Sequence, residues 1–110
     1  MRNLVYIITE HWWPPGKSGE VGKVYLDAMQ KFPDDRSIAK PIIQSAVWPV
    51  QEGMHSITVA SVQPGKVKEA MDNVSNRLLM LATAIEGLRY KINIAYDLVE
   101  AMPFVGLKAP

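Results

Sequence analysis

Six residues of this chain recur in the same order at one fixed offset, and that recurrence restricts the fold more than any other feature of the sequence. Ile8-Thr9, five residues, Pro15-Gly16-Lys17, two residues and Glu20 return as Ile57-Thr58, five residues, Pro64-Gly65-Lys66, two residues and Glu69, every position displaced by 49. In each copy a β-rich run hands over to a helical pattern, so the duplicate marks two equivalent strand-turn-helix units. The physical logic is common to both. Proline presets φ, glycine permits a tight turn, and a glutamate in the first helical turn complements the helix dipole.

The runs around the two copies supply the remaining elements. Leu4 to Thr9 is β-branched and aromatic at consecutive positions, which predicts a strand covered on both faces. His11-Trp12-Trp13-Pro14-Pro15-Gly16 is expected to end it, because two prolines and a glycine stop a regular ladder. Val21, Val24, Tyr25, Ala28, Met29 and Phe32 stand at three- and four-residue spacing and predict a helix over residues 17–32, closed by Pro33-Asp34-Asp35. Ile42 to Trp48 and Met54 to Val62 flank a short Pro- and Gly-containing segment and read as an antiparallel hairpin. Val67, Met71, Val74, Leu78, Leu81 and Ile85 predict the longest helix, with Gly87 as its stop. Tyr90 to Tyr96 alternates apolar and polar residues as a half-buried strand does. Met102 to Pro110 carries apolar residues without a period that assigns a structure. The order is βαββαβ, an α+β arrangement of a four-stranded antiparallel sheet with two helices on one face. All 110 residues are read as one domain, with a core over 3–97 and a tail over 98–110.

Composition narrows the function classes. Twelve Lys and Arg against eleven Asp and Glu leave a formal charge of +1 with no basic run, which argues against a nucleic-acid binder. The absence of cysteine removes disulfide scaffolds, thiolate metal sites and Cys nucleophiles, and points to a reducing compartment. The apolar run after Met1-Arg2-Asn3 is too short for a signal sequence and no stretch is long enough to span a membrane, so the expected location is cytoplasmic. Gly16-Lys17-Ser18 is not a phosphate-binding loop. That pattern needs a glycine where His11 stands, and rigid prolines occupy positions whose backbone N–H groups should cradle phosphate.

A strand running into an extended polar segment, then Pro-Gly-Lys and a helix with an early Glu, resembles the dimeric α+β barrel superfamily of ferredoxin-like domains, small domains of unknown function among them. The resemblance spans roughly residues 3–97. It implies that the sheets of a homodimer pack face to face as a barrel and that space beside or inside each sheet holds a ligand. It carries no catalytic residue, since members include monooxygenases, isomerases, dehydratases, haem proteins and domains with no assigned role. The expected function is a homodimeric small-molecule-binding protein, as a cofactor-independent, monooxygenase- or isomerase-like enzyme on a small aromatic or oxo compound. The alternative is a non-catalytic regulatory or structural assembly domain. Apolar residues on both sides of the strands, Val5 and Ile7 against Tyr6 and Ile8, require a cover for the second sheet face, and self-association supplies it.

The candidate site begins at Glu10-His11-Trp12-Trp13, whose His11-Trp12-Trp13 belongs to the first copy only, where the second has Ala60-Ser61-Val62. His11 is a candidate general base, and Trp12 and Trp13 can clasp an apolar ring or pack the loop onto a helix. His55 is the other histidine; antiparallel central strands would bring it near His11, although two histidines without metal-ligand spacing predict no metal and no cofactor. Trp48, Asn93 and Tyr96 complete the candidate ligand contacts, and Thr9 and Thr58 are expected to face each other. The enzyme reading requires His11, Trp12, Trp48, His55 and Tyr96 to converge on one closed pocket.

Overall fold

Strict alternation sets the first strand. In the computed structural model, which describes residues 5–108, β1 (Val5–Trp13) points Ile7, Thr9, His11 and Trp13 to one face, where all four are buried, and Tyr6, Ile8, Glu10 and Trp12 to the other. Leu4, assigned to this strand by its sequence, lies outside the described residues. The strand runs on through His11 to Trp13, so the aromatic segment expected beyond the strand belongs to its second half. His11, Trp12 and Trp13 have continuous partners in Ser56, His55 and Met54. The prolines begin only at residue 14, so nothing in the segment itself withholds a backbone donor from the ladder.

The chain continues through α1 (Ser18–Lys31), β2 (Ala39–Val50), β3 (Gly53–Val62), α2 (Val67–Ala84) and β4 (Arg89–Tyr96). The strands form one sheet in the order β2-β3-β1-β4 with every neighbouring pair antiparallel. The tail begins with a short helix, α3 (Leu98–Ala101), capped by the Asp97 side chain, and the stretch without an assigned structure opens on a 3₁₀ turn over Met102–Val105. Pro41 and Pro49 are tolerated because β2 is an edge strand, and its register shifts around Ile43. Gly53 closes the β2–β3 turn at φ +141, where a Cβ would collide with the Trp13 carbonyl.

The repeated motif builds the same joint twice. Gly16 and Gly65 adopt φ +85 and +78, and Lys17 and Lys66 stand at the N-caps of the helices and pair with Glu20 and Glu69 three residues on. Both ion pairs are exposed and contribute little. The glycines and the presented backbone are what the motif conserves between halves. Its second consequence is the register Thr9 opposite Thr58, which places the repeat-related hydroxyls in contact.

α1 and α2 pack against each other and cover one sheet face. Trp13, Val21, Leu78, Leu81, Ile85 and Leu88 form the larger core cluster, and Ile7, Val62 and Ala70 a smaller one. The opposite face presents half-buried Ile8, Ile57 and Val59, away from the core that α1 and α2 form on the other side. The accessible surface is 7129 Å², against the roughly 6,000 Å² expected for a folded monomer of this mass. The radius of gyration is 15.5 Å, where a compact chain of this length has about 13 Å. None of the described helices is long and apolar enough to cross a membrane.

Candidate functional site

β1 carries functional side chains to both faces of the sheet, and the two faces hold different chemistry. On the helix side, His11 is 4% exposed, stacks on Trp13 at 5.2 Å between centroids, and has no hydrogen-bond partner at Nδ1 among the described residues. Burial, and secondly the charge of nearby His55, push its pKa down to about 4. The imidazole is therefore neutral near pH 7 and offers one donor and one acceptor. It walls two cavities. One, of about 80 Å³, is lined also by Thr9, Thr58, Tyr25, Leu78, Asp34 and Arg77. The other, of about 200 Å³, lies against Trp13, Ser18 and Tyr25 and the hydrogen-bonded pair Ser45–Ser56, 3.0 Å apart. A single water needs only about 10–15 Å³ of such space, so the first cavity has room for a small molecule.

On the open face, one residue from each strand forms a continuous row. Arg89 of β4 lies over Trp12 of β1 at 5.7 Å, Trp12 stacks on His55 of β3 at 4.4 Å, and His55 meets Trp48 of β2 at 4.3 Å. Their register places all four at the same level of the sheet. Glu10 Oε1 lies 3.0 Å from His55 Nε2, which fixes the ring between the indoles. The stacked faces of Trp12 and His55 are occupied by one another, so the row acts first as a cross-strand stitch.

The sequence-predicted residues thus separate. Trp12, Trp48 and His55 come together on the open face with Glu10 and Arg89. His11 and Trp13 stand on the other side, where Trp13 is core and donates through Nε1 to Ser18 Oγ at 2.8 Å. The expected proximity of His11 and His55 holds along the strands, but their side chains leave opposite faces, because Trp12 and not His11 is the register partner of His55. The closed pocket of His11, Trp12, Trp48, His55 and Tyr96 does not form. Tyr96 is opposite Val5, at the far end of β1, and its ring meets Phe104 edge-on. Asn93 is opposite Ile8, midway along the open face. For the same reason the two histidines do not share a carboxylate, and no group of three or more His, Cys, Asp or Glu arranged for a metal occurs among the described residues. Ser45, Ser56, Tyr25 and Arg77 escape sequence reasoning. Tyr25 is legible only as part of the apolar face of the first helix, and Arg77 only as a charged residue between Val74 and Leu78 on the apolar stripe of α2.

No family model matches the chain and no curated protein matches it. Solved structures do. A Caulobacter crescentus protein named provisionally as an antibiotic biosynthesis monooxygenase superposes with a TM-score of 0.58 at 14% identity, over 88% of this chain and 92% of that one. A conserved protein from Methanosarcina mazei Go1 does so at 0.56 and 11% identity, over 86% and 93%. The de novo designed protein Foldit4 reaches 0.58 at 7% identity, over 87% and 99%. The chain has the ferredoxin-like α+β fold that its element order predicts. A designed sequence fits as well as the natural ones, so the fold carries no activity with it.

Proposed function

We propose that this chain is a homodimeric small-molecule-binding protein of the α+β barrel type, which takes a small aromatic or oxo compound into the helix-side cavity against His11. One observation carries the reading: the buried Nδ1 of His11, without a partner among the described residues, on the wall of a cavity. A buried polar atom left unsatisfied costs about 1–3 kcal/mol, which a ligand hydroxyl or carbonyl hydrogen-bonding to the ring recovers. The Thr9 and Thr58 hydroxyls and the Tyr25 ring supply further contacts for a flat molecule with one polar head. An imidazole with a pKa of about 4 is a weak base at neutral pH, so its role here is recognition of the head and not proton abstraction.

The dimer rests on the open face. Four strands about 4.8 Å apart and some 30 Å long present roughly 600 Å² per subunit, enough for a paired interface above the 1,000 Å² scale of specific contacts. The surplus surface of the single chain supports the same reading. Titration with phenol and with cyclohexanone, followed by thermal shift, should give saturable stabilisation that His11→Leu weakens at least tenfold. No shift with either compound sinks the binding proposal.

A further inference from the structure

On the reading that the helix-side cavity holds a ligand, the geometry points to Arg77 as a specificity residue that selects compounds carrying a carboxylate opposite their polar head. The cavity has two unlike polar groups on its wall, the neutral imidazole of His11 and the guanidinium of Arg77. Along β1 it runs from His11 past Thr9 to Ile7, about 13 Å of strand, and on α2 it reaches Arg77, beside Asp34. On either side of Arg77 along α2, Val74, Leu78 and Leu81 give an apolar wall. Such a space fits an apolar body with a neutral hydroxyl or carbonyl at one end and a charge-bearing group at the other.

The guanidinium is positioned and incompletely used. Arg77 Nε donates to the Phe32 carbonyl at 2.7 Å and Nη2 to Asp34 Oδ1 at 2.9 Å. These bonds hold the fork in place and take two of its five N–H donors. The others have no protein acceptor among the described residues. The acids nearby are engaged elsewhere: Glu69 with Lys66, Asp72 with Lys68, and Asp35 with Ser37. Asp34 is therefore the carboxylate a ligand must share Arg77 with, and its side chain is 35% exposed, which makes the pair the weak, exchangeable kind. A planar guanidinium can bind a second carboxylate through its remaining edge, and without that cation the apolar walls would reject a charged group.

The test compares 4-hydroxybenzoate with 4-hydroxybenzamide, nearly the same shape with and without the charge, titrated calorimetrically into the full chain at pH 7.5. The acid should bind about tenfold more tightly than the amide. Arg77→Met should erase that difference and leave the amide within about twofold, as expected when one charge-assisted contact is lost. Asp34→Asn should strengthen the acid alone by removing its competitor. Equal wild-type affinities, or a preference that survives Arg77→Met, overturn the assignment. Amide binding without acid preference refutes Arg77 selection while sparing the cavity; binding of neither compound removes both. Since Arg77→Met also cuts a tether to Phe32, the wild-type comparison and Asp34→Asn decide the matter if that variant fails to fold.

Discussion

Replacing His11 with leucine removes a buried imidazole whose charged form the fold excludes, and the consequence is a change in how stability depends on pH. Above pH 6.5 the ring is neutral in the folded and the unfolded chain, so the stability it permits is fully present. As pH falls through 6.5, the unfolded chain takes up a proton that the folded chain refuses until about pH 4, and stability is lost across that window. At 1.36 kcal/mol per unit the full loss is about 3 kcal/mol, of which about 2 kcal/mol has accrued at pH 5. Urea denaturation of wild type and His11→Leu at pH 7.5 and pH 5.0 measures it directly. The variant's absolute stability can move either way through packing, but that offset is common to both pH values. The wild type should lose about 2 kcal/mol more than the variant between them. Matching losses within about 0.5 kcal/mol would refute both the burial of His11 and the neutral-imidazole basis for ligand recognition.

Three further outcomes follow from the geometry. Thr58→Val strands the Thr9 hydroxyl in the core and should cost about 1–3 kcal/mol, whereas adding Thr9→Val should restore part of that loss, as a double-mutant cycle in urea will show. Ile57→Arg puts a charge at the centre of the open face; sedimentation should find a species of twice 12.3 kDa for wild type and a monomer for the variant, and a monomeric wild type at micromolar concentration excludes the dimer. Gly53→Ala meets both the Trp13 carbonyl and an unfavourable φ, so a destabilisation above about 2 kcal/mol is expected; a neutral effect would mean that the β2–β3 turn is built differently.

Much of the architecture is legible because it is local. Pro-Gly-Lys with an early Glu specifies a strand-to-helix joint wherever it occurs, and both copies fold to that joint with left-handed glycines and the same Lys–Glu pairs. The apolar stripe from Val67 to Ile85 needs no neighbour to be recognised as a helix face. The equivalence of the halves also foretells that Thr9 meets Thr58, since a pairing about the centre of two related strands brings repeat-related residues together.

The site is less legible, and the reason lies in Glu10-His11-Trp12-Trp13. Period-two alternation assigns a side chain to a face only when its neighbours contrast in polarity, and here titratable and aromatic residues stand side by side. From sequence alone this chain determines its element order, its two equivalent joints and the aromatic, titratable segment that sets the first half apart. Tertiary structure decided the rest. Pairing with β3 carried the ladder through Trp13, which sent His11 beneath the helices and Trp12 to His55 on the open face. The packing of α2 over β1 and β4 left a cavity at His11. Facing direction and cavity shape depend on contacts between distant segments, which no local pattern encodes.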